Sequence, residues 1–226
     1  VNAEQHTSGT PGRWQAGPAT PYEAPGPGLA EATAADDPFA QFSEWFAAAT
    51  AAGLPQPNAV VLATVSAAGQ PRARTVLLKE YDTAGFVFYT NRTSRKGRDL
   101  AGQPRACLLF GWHAIHRQVI IEGTVSPLTT EQSEPYFRSR PRGSQLGAWA
   151  SRQSSVLASR AELDERYAEL ERRWPPGQAV PMPDFWGGYL LVPATLEFWQ
   201  GRPDRLHDRL RYRRSDGGWI VERLAP

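Results

Sequence analysis

From Asn58 to Val125 the chain reads as short apolar runs set off by tight-turn signals, and nothing else in it constrains the fold as strongly. The runs Asn58–Val65, Arg72–Glu80 and Phe86–Thr90 are joined at Ala67-Ala68-Gly69-Gln70 and Asp82-Thr83-Ala84-Gly85; Arg105–Trp112 and Arg117–Val125 come next. β-Branched and aromatic residues at this density suit a pleated, half-buried surface. Parallel neighbours need a crossover of about a dozen residues or more, and these turns are far shorter. The strands must run antiparallel, as an open sheet or a barrel. The pattern returns at Gly188–Val192, Thr195–Gln200, Leu206–Arg213 and Trp219–Leu224, with a turn at Ser215-Asp216-Gly217-Gly218. The expected class is mainly β with α (α+β).

Helical signals fill the remainder. Asp36 or Asp37 can cap a helix, Pro38 suits its first turn, and Phe39, Phe42, Phe46 and Ala49 mark one apolar face before Gly53 and Pro55 end it. Ser94 can cap a short helix to about Gly102. The region from Thr129 to Trp174 reads as helical; its clearest element starts at Ser159, with Glu162 completing a capping box and Leu163, Tyr167, Leu170 and Trp174 as a core-facing stripe. Residues 1–35 are rich in Pro, Gly, Ala and Thr and poor in large aliphatics, which predicts a flexible N-terminal arm ahead of a single domain over residues 36–226.

Several function classes are disfavoured. A net charge of +2 gives no general case for nucleic acid or a membrane surface. The one cysteine, Cys107, excludes an internal disulfide framework and a cysteine-cluster metal site; its apolar setting, Ala106–Phe110, predicts a buried, inert thiol. No apolar stretch approaches the ~20 residues of a membrane span, and no basic segment followed by an apolar one marks a secretory signal, so a cytoplasmic setting is expected. His6, His113, His116 and His207 are too dispersed for a metal centre. No Gly-x-Gly-x-x-Gly follows a strand, and there is no Walker A loop or His-Glu-x-x-His. In Gly143-Ser144-Gln145-Leu146-Gly147 the serine sits one position early for a nucleophile elbow.

What the chain does carry is cations in clusters. Of 25 basic residues 23 are Arg, leaving only Lys79 and Lys96. In Thr93-Ser94-Arg95-Lys96-Gly97 two cations sit in a first helical turn, against the macrodipole; a phosphate there would reconcile them, and a solvated basic turn is the competing reading. Along Arg72–Lys79, side-chain alternation puts Arg72, Arg74, Val76 and Leu78 on one face and Lys79 on the other, at the strand's end. Tyr136, Arg140 and Ser144 are spaced at four, although Pro141 interrupts a helix there. Arg205, His207 and Arg209 would project from one strand face, where they repel one another unless an anion or solvent intervenes.

These segments together resemble the pyridoxine/pyridoxamine 5′-phosphate oxidase family, from about Asp37 to Pro226. The resemblance is carried by Arg74–Lys79 (RTVLLK), Phe88–Lys96 (FYTNRTSRK), Arg140–Ser155 (RPRGSQLGAWASRQSS), Phe185–Tyr189 (FWGGY), Glu197–Gly201 (EFWQG), Arg205–Arg209 (RLHDR) and Glu222–Pro226 (ERLAP). It implies an antiparallel FMN-binding split β-barrel with peripheral helices. It also implies a homodimer with two interfacial active sites, in which residues 185–226 serve dimerisation and the substrate. The implied FMN-binding residues are Arg74, Thr75, Val76, Leu77, Leu78, Lys79, Tyr89, Thr90, Arg95, Lys96, Gln118, Gln153, Ser154, Trp199 and Arg209. Those implied for the substrate are Lys79, Tyr136, Arg140, Ser144, Arg205 and His207, with Arg205 and His207 orienting it for catalysis. The implied reaction oxidises C4′ of pyridoxine or pyridoxamine 5′-phosphate to pyridoxal 5′-phosphate, with hydride passing to flavin N5 and O2 becoming H2O2; no metal is involved. The family's Arg-Arg-Glu-Tyr type segment in the N-terminal arm has only Thr20-Pro21-Tyr22-Glu23 as its nearest match, so that contact is not carried over. Three rivals stand beside this reading: a related flavin oxidase of the phenazine-biosynthesis type, a non-catalytic flavin or pyridoxal-phosphate carrier, and a nucleic-acid binder using Arg202–Arg214, whose charge Asp204 and Asp208 dilute.

Overall fold

The computed structural model describes residues 28–226. Its elements are α1 (Pro38–Ala51), β1 (Ala59–Val65), β2 (Pro71–Asp82), β3 (Gly85–Asn91), α2 (Arg95–Gly102), β4 (Arg105–Trp112), β5 (Arg117–Pro127), α3 (Thr130–Ser139), α4 (Arg142–Ala150), α5 (Arg160–Arg173), β6 (Trp186–Gln200), β7 (Asp208–Ser215) and β8 (Gly218–Arg223). The strands run in the order β3-β2-β1-β4-β5-β6 and close on themselves through a β3–β6 pairing, while β7 and β8 extend from β6. All pairings are antiparallel, as the short turns require.

Closure depends on β6, which corrects the expectation of two strands at Gly188–Val192 and Thr195–Gln200. One strand of 15 residues spans both. Along one edge it pairs with β5; along the other, Trp186–Leu191 pair with β3 and Thr195–Gln200 with β7. Pro193 falls in the gap between those two partners and beside a bulge at Glu122/Gly123, the kinds of place where a strand tolerates proline. Gly123 is required there, because a Cβ would collide with the Val192 carbonyl. The expected strand Leu206–Arg213 starts later, at Asp208, because Pro203–Arg205 form a 3-10 turn.

Helix α1 packs against the barrel core. The Asp37 side chain accepts from the Ala40 N–H, and Pro38 occupies the first turn. Phe39, Phe42 and Ala49 are buried as the spacing predicts, joined by Trp45. Phe42 is fully buried, with the rings of Tyr81, Phe86 and Phe110 at 4.9, 5.0 and 5.2 Å. A second cluster, built on Phe137, Leu146, Trp174, Val180 and Trp186, fastens α3 to α5 beside the barrel; Tyr167 and Leu170 of the predicted stripe pack against it.

Residues 1–27 of the expected arm lie outside the described residues. Its last eight, 28–35, are docked: Leu29 is buried, the Ala35 N–H donates to Gln41 Oε1, and Tyr212 donates its hydroxyl to the Ala35 carbonyl. An arm reaching to residue 35 is therefore corrected at its C-terminal end. Cys107 is half-buried, and burial first, then Glu122, pushes its thiol up to about 11. Among the described residues no helix is long and apolar enough to cross a membrane.

Candidate functional site

Two adjoining clefts open between β2, β3, α2 and the helical layer. The larger, about 560 Å³, is lined by Thr75, Val76, Leu77 and Lys79 of β2, Tyr89, Thr90 and Asn91 of β3, Lys96, Tyr136, Arg140, Ser144, Gln153 and Trp186, among others. The smaller, about 490 Å³, is lined by Arg72, Ala73, Arg74, Arg95, Lys96 and Ser154. Lys96 belongs to both.

Local sequence explains each placement. The β2–β3 register shifts between Leu78 and Glu80, so Lys79 stands at the irregularity and faces the larger cleft. Its ammonium lies 5.6 Å from the Tyr136 ring centroid. Tyr136 lies on α3, Arg140 is that helix's C-cap, and Ser144 lies on α4; Pro141 breaks the helix between them, yet all three still reach one cleft. Tyr89, Tyr136 and Trp186 stack, the first two at 4.1 Å, and the Arg140 guanidinium sits 4.8 Å from the Trp186 ring centroid. Burial and then Glu80, whose carboxylate accepts from the Tyr89 hydroxyl at 3.2 Å, push that phenol up to about 12.

At the junction Ser94 caps α2 by accepting from the Gly97 N–H. Lys96 is 8 % exposed and donates to Gln153 Oε1 at 2.5 Å, Thr90 Oγ1 at 3.1 Å and Ser94 Oγ at 3.3 Å. All three acceptors are neutral. Burial, reinforced by the nearby Arg74 charge, lowers its ammonium to about 8. Arg74 donates to Thr64 Oγ1 and the Leu62 carbonyl, and the buried Asp99 lies 2.6 Å from Arg72 and 3.7 Å from Arg74. The Arg95 N–H donates to Ser154 Oγ, and Ser154 adopts a left-handed φ of 73°. Arg140 Nη1 is buried without a hydrogen-bond partner. A phosphate-bearing ligand fits these cations, because it supplies the negative charge that Lys96 lacks among its neutral partners and the acceptor that Arg140 Nη1 lacks.

Most of the expected site residues thus converge. Leu78 is a core side chain and lines neither cleft. Gln118, Trp199, Arg205, His207 and Arg209 form a second group, on β5, β6, the β6–β7 connection and β7, that also lines neither. Trp199 pairs in register with Gln118 on one side and Arg209 on the other, and its ring lies 4.5 Å from that of His207. Arg209 makes a two-pronged ion pair with Glu197, at 2.8 and 3.1 Å, which raises its pKa. The expectation that Arg205, His207 and Arg209 share one strand face is corrected: Arg205 sits in the 3-10 turn with φ at +61°, and only Arg209 lies within β7. Residues not assigned to the site beforehand are Arg72, whose place on the strand face was noted, and Asn91, Asp99, Ser151 and Trp186. Trp186, Asn91 and Ser151 stood inside motifs already noted, whereas the Asp99 role has no local signal, since its partners come from β1 and β2.

Residues 46–172 match the family model described as pyridoxamine 5′-phosphate oxidase, and residues 186–226 match the pyridoxine 5′-phosphate oxidase C-terminal dimerisation region. The chain belongs to the pyridoxamine 5′-phosphate oxidase family. Among its relatives, the pyridoxine/pyridoxamine 5′-phosphate oxidase of Thermobifida fusca is 56% identical over 198 residues, covering 85% of this chain and 90% of that protein. Its counterpart from Bordetella petrii is 57% identical over 199 residues, covering 88% and 93%. The crystal structure of PhzG from Burkholderia lata, in complex with tetrahydrophenazine-1-carboxylic acid, matches with a TM-score of 0.81 and 33% identity over 86% of this chain and 95% of that one. An FMN-binding protein from Nostoc punctiforme, at 18% identity and a TM-score of 0.66, shares the fold. The family's split barrel is the architecture seen here, and the family places the chain among oxidoreductases.

Proposed function

We propose that the chain is an FMN-dependent oxidase converting pyridoxamine and pyridoxine 5′-phosphates to pyridoxal 5′-phosphate, working as a homodimer. One observation carries this reading: Lys79, Lys96, Arg140, Arg72, Arg74 and Arg95 line two adjoining clefts that no Asp or Glu among the described residues lines. That spacing suits two phosphates, one on the cofactor and one on the substrate. Arg74, Arg95, Lys96 and Ser154 would hold the FMN phosphate, with Thr75–Leu77, Tyr89, Thr90 and Gln153 along the rest of the cofactor. Lys79, Tyr136, Arg140 and Ser144 would hold the substrate, the buried Arg140 Nη1 gaining the acceptor it lacks. When bound, FMN would supply the redox chemistry, accepting the hydride of C4′ with O2 as final acceptor to give H2O2; the alcohol gives the aldehyde directly, and the amine gives an imine that water hydrolyses to aldehyde and ammonia after oxidation. The protein's part is to hold C4′ in place and to exclude water, work the stacked Tyr89, Tyr136 and Trp186 suit.

The second group is assigned to the partner subunit's clefts. Support comes from the matched dimerisation region and from the outward face of the barrel, where the apolar Val61, Leu109 and Ile120 stand side by side in register. In this reading residues 36–226 form one domain, with residues 185–226 as its dimerisation and substrate segment. Arg205 and His207 would orient the substrate, and the Arg202 N–H donated to His207 Nδ1 at 3.1 Å would fix the imidazole's orientation.

The likeness to PhzG favours a second reading, an oxidase of a tetrahydrophenazine-type acid. Purified protein loaded with FMN and given pyridoxamine 5′-phosphate in air separates the two: aldehyde and peroxide should appear together. A protein that takes up no FMN refutes the proposal, and one that takes it up but oxidises only the phenazine-type acid establishes the alternative.

A further inference from the structure

We propose that residues 28–31 form a strap that positions the Arg202–His207 turn, with Asp208 and Arg223 as the joint between them. The inference rests on the reading of Arg205 and His207 as substrate-holding residues. The turn is strained: Asp204 and Arg205 adopt successive left-handed φ values of 56° and 61°. Residues other than glycine hold that conformation only where their surroundings over-determine it.

The restraint runs through Asp208. Its Oδ2 accepts from the Leu29 N–H at 3.1 Å and lies 3.5 Å from Arg202 Nε; its Oδ1 accepts from Arg223 Nη1 at 3.0 Å. Arg223 in turn donates to both carboxylate oxygens of Glu31, at 2.8 and 2.7 Å, and to the Leu29 carbonyl at 2.9 Å. Arg202 closes the chain of contacts by donating its backbone N–H to His207 Nδ1. The strap lies so close that a Cβ at residue 28 would collide with the Asp208 carboxylate, which explains Gly28. Neither Glu31 nor Asp208 lines either of the two clefts described. They are positioning residues, acting on the turn that carries Arg205 and His207.

Two variants of the FMN-loaded full chain, Asp208→Asn and Glu31→Gln, test this with two readouts. The first is the rate of tryptic cleavage at Arg205–Leu206, followed by mass spectrometry. A loosened turn should be cut about threefold to tenfold faster in both variants. The second is turnover of pyridoxamine 5′-phosphate: KM should rise about threefold to tenfold, with kcat within about twofold and FMN affinity unchanged. Unchanged cleavage in both variants refutes the strap, whatever the activity. Faster cleavage with unchanged KM refutes the positioning role, and so does a parallel loss of kcat, KM and FMN affinity, which marks general unfolding. If the wild-type chain does not oxidise this substrate, the functional reading fails, and cleavage still decides the strap.

Discussion

Lys96 makes the phosphate reading quantitative. In the ligand-free protein its ammonium titrates at about 8, because it is buried and faces Arg74 while its hydrogen-bond acceptors are neutral. An FMN phosphate in contact with it favours the charged form, so the complex binds more protons than the free protein and affinity must fall as pH rises. With a free pKa of about 8 the lysine is about 90% charged at pH 7 and about 10% charged at pH 9. If the complex keeps it charged throughout, Kd for FMN rises about tenfold between pH 7 and pH 9, or about 1.4 kcal/mol. The phosphate's own second ionisation, near pH 6, lies below this window. Titrating apoprotein with FMN and following the loss of flavin fluorescence at pH 7, 8 and 9 measures the slope directly. Lys96→Arg supplies the control, because a guanidinium stays charged throughout and should flatten the dependence even where it weakens binding. A flat wild-type profile, or the same slope in the arginine variant, would show that Lys96 does not hold the phosphate.

The same burial acts on stability with the opposite sense. The ammonium is lowered in the folded chain, so the unfolded chain binds more protons between about pH 8 and 10.5 and ligand-free stability rises with pH there. Lys96→Met should accordingly raise the apoprotein's melting temperature at pH 7 by about 2–6 °C while weakening FMN, and a fall in melting temperature would contradict the burial argument. Arg140→Ala should raise KM for the phosphorylated substrate by about 100-fold with FMN affinity within about threefold, because in the proposed reading Arg140 holds the substrate, away from the cations that hold the FMN phosphate in the smaller cleft; equal losses in both would reassign it. Phe42→Ala, at a fully buried ring packed among five others, should cost about 3–5 kcal/mol in denaturant unfolding, and a loss below about 1 kcal/mol would mean that the core is misread. Co-assembling Arg140→Ala with Arg205→Ala should restore, at low substrate concentration, turnover well above that of either variant alone, since one of the two sites in a mixed dimer then carries neither change; no restoration places Arg205 and Arg140 in the same protomer's site.

How much of this was legible beforehand follows from the range over which each interaction acts. The short turns determined the antiparallel pairing, and Asp37, Ser94 and Ser159 marked helix starts, because caps and tight turns are settled within four residues. The unbroken β6 was not legible: Pro193 argues locally for a break, and only its place between two partners on one edge makes it harmless. The turn at Pro203–Arg205 was likewise hidden, because what holds Asp204 and Arg205 in left-handed backbone comes from Leu29 and Arg223, far away in sequence. The two lysines show the same division. Composition set Lys79 and Lys96 apart, but it could not distinguish a solvated basic turn from an anion site. The fold removes the solvated turn by burying Lys96 among neutral oxygens, and among the described residues no carboxylate lines either cleft, which supports the anion site. A solvated surface lysine has no reason to be lowered from its ordinary value, whereas one buried beside Arg74 is lowered. The slope of FMN affinity with pH therefore measures the one thing that the sequence left open.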